Sequence, residues 1–308
     1  MQQWIIILWE LSPLIPGGVV AVGVWLGTRR HGTPLRGRAG VLAAIGGVVP
    51  VVVSCLYSVV RVTPQLLAPM GQDVSIGVQD ARFVIPLAAG LVALLTLCVP
   101  GRREPSATAA GIARRTAFTF LSSGWTVALT AIAVVTIALS IAAGLASVPD
   151  QTGRYTMLTV QIGTMRVGTT IYGWYYSIPA MALLTILIGT AWAGLALIAR
   201  PPLGDAREQD AAIRRTRSRN IAAVTTGAIA FHLAAILGSL AGTSRMGGGL
   251  ATDAGVINVG SPFAALGSFL SASSFVATCL GAVLCLSVAL TAVPRTARAR
   301  QHTIKTAP

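Results

Sequence analysis

Glu10 and His232 are ionisable residues set inside long apolar runs of this 308-residue chain. Holding a charge in hydrocarbon is expensive, so a group placed there is a candidate for ion, proton or ligand contact. Glu10 comes about 9 Å after the start of its run at Trp4, at a helical rise of ~1.5 Å per residue. Pro13 and Pro16 loosen the helix just beyond it. Three readings are open for Glu10: it binds a cation or proton, it pairs with Arg61 or Arg82, or the span begins near Leu11 and leaves it in the wet interface. His232, in the middle of another run, relays a proton, contacts a ligand, or is simply hydrogen-bonded inside the protein. Asp80 and Arg82 complete the set, because a short apolar window after them extends back toward Ile76 and draws the two charges to the outer interface.

The same residue types exclude several chemistries. Cys55, Cys98, Cys279 and Cys285 lie in apolar runs and form no Cys-x-x-Cys pair, so neither a disulfide framework nor a zinc site is expected. His31 and His302 fall in segments between or beyond the runs, which leaves His232 without the partner a bis-histidine haem would need. P-loop, H-E-x-x-H and G-x-S-x-G patterns are absent. The one lysine is Lys305 in the tail, so no helix can carry a retinal Schiff base. No cofactor and no metal are expected.

The elements that position these groups follow from composition. With 54% apolar and 10% charged residues, the chain is written for lipid rather than water, since soluble domains carry about 25% charged residues. A span takes about 20 apolar residues. Seven windows meet or approach this, near 4–27, 39–60, 83–99, 117–147, 178–199, 221–241 and 263–293. They are continuous runs, so the expected fold is an all-α integral membrane protein of seven transmembrane helices within one polytopic domain, 1–293. A basic tail, 294–308, is expected to be disordered and cytoplasmic.

Charge orients the spans. Arg29, Arg30, Arg36 and Arg38 lie in the first gap, and Arg102, Arg103, Arg114 and Arg115 in the third. Arg200, Arg207, Arg214, Arg215, Arg217 and Arg219 lie in the fifth, and Arg295, Arg298, Arg300 and Lys305 in the tail. Only Arg61, Arg82, Arg154, Arg166 and Arg245 lie on the other side. The positive-inside rule therefore puts the N-terminus outside and the C-terminus in the cytoplasm. Glu10, Asp73, Asp80, Asp150 and Asp253 neutralise the outer side, so the whole formal charge of +14 falls inside. Basic loops of this kind match anionic lipid at the cytoplasmic face, and no nucleic-acid partner is expected. The first span lacks a preceding positive region and is expected to stay uncleaved. The preponderance of arginine over lysine, with abundant Ala, Gly and Val, points to a bacterial cytoplasmic membrane.

After the first span the windows read as three hairpins, with proline before each returning span and proline beside arginine after it. The register between those prolines is not kept, so a threefold repeat competes with ordinary helix-end composition. In the middle outer loop, Val160 and Ile162, then Met165, Val167 and Ile171, alternate at period two and predict a β-hairpin turning near Gly163 and Thr164. Tyr172, Trp174, Tyr175 and Tyr176 then suit an aromatic anchor at the headgroups, or a stacking platform. The segment 205–219 could form a short helix with Asp210 and Arg214 paired at i, i+4, and reads as a solvated linker or a docking surface. Small residues recur every four positions in the last two spans, including Ala230, Ala234 and Gly238 in one and Ala277 and Gly281 in the other. They predict a close helix pair.

By elimination, the expected function is a permease-like or accessory subunit of a transport or export system, working with another membrane or ATPase subunit. The alternatives are a scaffold or sensor using its outer loops, and a membrane-embedded enzyme using Glu10, Asp80 or His232.

Overall fold

The computed structural model describes residues 2–28, 35, 37–63, 69, 71–99, 116, 119–162, 165–200, 207–252 and 255–293. The hairpin turn expected at Gly163 and Thr164, the arginines of 29–36 and 102–115, and the tail 294–308 lie outside the described residues. In chain order the helices are α1 (Gln2–Leu11), α2 (Leu14–Thr28), α3 (Gly37–Val62), α4 (Gln72–Asp80), α5 (Ile85–Cys98), α6 (Ser123–Leu145), α7 (Trp174–Ala199), α8 (Arg207–Ser244) and α9 (Gly267–Leu290). The strands are β1 (Val148–Pro149), β2 (Tyr155–Ile162), β3 (Met165–Thr170), β4 (Gly247–Thr252) and β5 (Gly255–Gly260).

Six helical segments are long and apolar enough to cross a membrane, and a seventh is a bent pair, so this is a helical protein of the multi-pass membrane type. Both interrupted segments trace to proline. α1 and α2 form one apolar stretch broken at Ser12 and Pro13, because proline removes a helical hydrogen bond and its ring clashes with the preceding turn. The third expected span does not extend straight back to Ile76. A 3-10 turn, Ala81–Phe83, and Pro86 at the start of α5 turn the chain by 70° between the two segments.

α8 is the central helix. Some 83% of its apolar window is buried, against 17–33% for the other spans, and Asn220 to Ala234 are buried without a break. It packs against α5, α6, α7 and α9. Lipid offers helices no hydrophobic incentive to associate, so close approach over small residues does the work. A Cβ added to Gly227 would stand 2.7 Å from Cys285 Sγ, one on Gly281 3.0 Å from the Phe231 ring, and one on Gly47 2.5 Å from the Cys285 carbonyl oxygen. Along the α8–α9 seam, Ala230, Ala234 and Ala277 are buried, and Ser274 Oγ donates to the Ala234 carbonyl at 2.8 Å.

At one end of the bundle, α8 continues without interruption to Arg207. The described part of this segment is therefore helical as expected, but not simply solvated: Glu208, Gln209, Arg215 and Arg219 are exposed, while Arg214 and Ser218 are buried. Arg214 is only 2% exposed. Its Nη1 donates to the Ile198 carbonyl near the end of α7 (3.1 Å) and its Nη2 to Asp210 (2.7 Å). Arg217 Nη2 donates to the Val99 carbonyl at the end of α5 (3.0 Å), and Asn220 reaches Thr291 beyond α9 (2.9 Å). The cations thus satisfy carbonyls that helix C-termini leave open, where the helix dipole also favours positive charge.

At the other end stand the hairpins. β1, β2 and β3 form an antiparallel sheet, with Val160 opposite Val167, and β4 pairs with β5. The segment joining α3 to α5 instead holds α4, so the three helical hairpins carry unlike insertions.

Candidate functional site

A cleft of about 610 Å³ opens at the hairpin end and runs into the bundle between α1, α3, α5, α8 and α9. Its lining extends from Arg245, just past the end of α8, back along that helix to Phe231, about 20 Å at ~1.5 Å per residue. The mouth is polar. Arg61 Nη1 lies 3.8 Å from Glu10 Oε2, too far for a strong hydrogen bond, with the two side chains 56% and 29% exposed. Arg245 Nη2 donates to Ser271 Oγ at 2.9 Å. Two guanidinium groups and one carboxylate thus line the cleft. Tyr57, Ser54 and Ser58 add hydroxyls from α3, and the Ser54 Oγ is buried with no hydrogen-bond partner among the described residues. The rest of the lining is apolar, with Phe231, Ala234 and Ala235 on α8 and Phe275 and Val276 on α9.

Both broken spans border this cleft. Ser12 and Pro13 line it from one side, and Ile85 and Pro86 from another. Each break lies near the middle of a straight neighbour. Cys279 Sγ, half-way along α9, is 2.9 Å from the Pro13 carbonyl, and His232, in the apolar half of α8, contacts the Phe83 carbonyl through Nδ1 at 2.8 Å. Non-helical backbone at such depth is tolerated where protein buries it or a wet cavity receives it. Phe231, Ala282 and Cys285 form a buried cluster against Leu14 and Val51.

In comparison with known proteins, no family model, no curated protein and no solved structure matches this chain.

Of the residues singled out from sequence, Glu10, Ala234 and Gly238 line the cleft. His232 does not. It is 1% exposed and faces the α5 side, where its hydrogen bond satisfies a carbonyl at the bend. That carbonyl can only accept, so Nδ1 carries the proton. Asp80 and Arg82 belong to a separate clasp that ties the β1–β3 sheet to the bundle. Asp80 Oδ2 accepts from Arg154 at 3.2 Å and from the Tyr175 hydroxyl at 3.1 Å. Arg154 stacks over Tyr175, and Arg82 stacks over both Phe83 and Tyr176, each at 4.7 Å. Trp174 packs against Gly144.

Tyr172 is not an interfacial anchor. It is fully buried, with its ring 4.4 Å from that of Phe83 and 6.1 Å from that of His232, and burial pushes its phenol up to about 12. The hydrophobic contact with the bend outweighs the headgroup preference of its hydroxyl. The sheet has a second ordering device absent from the sequence reading. The Asp150 carboxylate accepts from Thr152 N and Oγ1 (2.8 and 2.7 Å), Arg154 N (3.0 Å) and Thr156 Oγ1 (2.9 Å). These bonds, led by the Thr152 hydroxyl, lower its pKa to about 2. Gly153 at φ +81° completes the turn.

Sequence reasoning also missed Arg245 and Phe231 as cleft residues. The signal that could have found them is proline: interrupted apolar segments point to a shared site in transporters, and Pro13 and Pro86 mark two. Among the described residues, no group of three or more His, Cys, Asp and Glu could hold a metal ion.

Proposed function

We propose that this protein is a permease-like or accessory subunit of a transport or export system in a bacterial cytoplasmic membrane. It has seven spans, counting the bent α4–α5 pair as one. The N-terminus is outside, and the arginine-rich end faces the cytoplasm and its anionic lipid. The observation that supports this best is that the bent α4–α5 span and the proline turn between α1 and α2 both border one cleft near the hairpins. Discontinuous helices around a mid-depth site are the usual architecture of alternating access. A partner subunit, such as an ATPase, supplies energy if the transport is active.

Cysteine labelling tests the reading in a cysteine-free chain. Ala235→Cys, on the cleft wall, is expected to react with an impermeant maleimide from outside in intact cells and from inside in inverted vesicles, because a permease presents its site to the two sides in turn. Arg215→Cys should react only from the cytoplasmic side. Labelling of Ala235→Cys from outside alone means a static pocket and rejects the permease reading. Labelling of Arg215→Cys in intact cells rejects the orientation.

A further inference from the structure

We infer that the cleft binds an amphiphile with an anionic headgroup, entering sideways from the outer leaflet. The inference deepens the transport reading and rests on its orientation. Three observations carry it. The first is charge: Arg61 and Arg245 stand at the mouth against the single carboxylate of Glu10. Guanidinium groups bind phosphate and carboxylate through paired, charge-assisted hydrogen bonds. The Arg61–Glu10 separation of 3.8 Å marks a loose pair, which leaves Arg61 open to a stronger anion. The second is graded polarity: hydroxyls of Ser12, Ser58 and Ser271 accompany the arginines, whereas Phe231, Ala235 and Phe275 line the deeper part. A volume of about 610 Å³ falls within the ~300–1,000 Å³ of small-molecule sites. The third is the opening. Trp9 on one wall is 78% exposed, and Val276 on the other is 63% exposed. Both belong to spans whose exposed faces meet lipid, so an acyl chain can lie between them without leaving hydrocarbon.

In this arrangement Glu10 is a competitor rather than a ligand. It occupies Arg61 when the cleft is empty and is displaced by the incoming headgroup. A cation or proton site built on Glu10 predicts the opposite effect of removing its charge, which makes Glu10→Gln the informative variant.

The test uses the full chain in nonionic detergent and measures equilibrium binding of single-chain lysophosphatidic acid. An uncharged monoacylglycerol and inorganic phosphate serve as comparison probes. Lysophosphatidic acid should bind well above either one. Glu10→Gln should tighten its binding about 2- to 5-fold, the value of a half-exposed ion pair. Arg61→Gln and Arg245→Gln should each weaken it by about 10-fold or more, the loss of one charge-assisted hydrogen bond. Weaker binding in Glu10→Gln, or monoacylglycerol binding as tightly as lysophosphatidic acid, overturns the inference. Inorganic phosphate binding as tightly as lysophosphatidic acid overturns the amphiphile and leaves a site for free anions. If binding follows the expected pattern while Ala235→Cys is labelled from one side only, the ligand class stands and the transport reading falls.

Discussion

Replacing Arg214 by alanine tests how the arginine-rich end is built. The side chain is 2% exposed, donates to the Ile198 carbonyl at 3.1 Å and to Asp210 at 2.7 Å, and stacks 5.6 Å from the Phe120 ring centroid. Breaking a buried ion pair by removing one partner costs about 3–5 kcal/mol. Asp210 keeps 26% of its side chain exposed, so its share of that penalty is reduced, while loss of a cation at the α7 C-terminus adds about 0.3–1 kcal/mol. The expected destabilisation is therefore about 3 kcal/mol. At roughly 2–4 °C per kcal/mol for chains of 150–250 residues, the apparent Tm falls by about 6–12 °C. The assay is retention of the monodisperse peak after heating at a fixed rate in nonionic detergent. Arg215, one residue along and exposed, provides the control: Arg215→Ala removes the same formal charge from the same segment and should shift stability by no more than about 0.5 kcal/mol. Equal melting of Arg214→Ala, Arg215→Ala and the unsubstituted protein refutes the view that this arginine fastens helix ends. It would return the whole segment to topogenic charge alone.

Three further outcomes are expected. Gly47→Val should separate α3 from α9, because even a Cβ there stands 2.5 Å from the Cys285 carbonyl oxygen and the Ala289 nitrogen; loss of crosslinking between cysteines paired across these helices, with Gly23→Val as an open-space control, would register it. His232→Leu leaves the Phe83 carbonyl at the bend without its donor, at a cost of about 1–3 kcal/mol, yet should leave lysophosphatidic acid binding unchanged, since His232 lies outside the cleft. Below pH 4 the β1–β2 turn should loosen. Asp150 is held at about 2, below the ordinary ~3.9, so its contribution is complete above about pH 4 and disappears as pH falls through 2. The protection of the Thr152 and Arg154 amides, relative to their intrinsic exchange rates, should fall over that window, and the fall should be absent in Asp150→Asn.

How much of this was legible in the sequence depended on the range of the interaction. The β2–β3 pairing showed in the period-two pattern from Val160 to Val167, because strand alternation is local. The Asp210–Arg214 pair showed as an i, i+4 spacing, but the burial of Arg214 did not, because that depends on α7 ending beside it. Tyr172 looked like its neighbours Tyr175 and Tyr176, and only the assembled bundle puts its ring against Phe83 and His232. Glu10 was visible as a charge in an apolar run, and Arg61 as one of two partners. Arg245, 184 positions from Arg61 and 235 from Glu10, carried no local signal that it shares their cleft.

The sequence by itself determined which segments are apolar and helical, where proline interrupts them, and how charge divides between the two ends, because these follow from solvent transfer, backbone geometry and counts along the chain. Only the tertiary structure decided that α8 is central, that the breaks at Pro13 and Pro86 face one another across a cleft, and that some arginines are structural pins while others border that opening. Those outcomes depend on which helix faces meet, and close packing of small residues such as Gly47, Gly227 and Gly281 sets that only once all the spans are assembled.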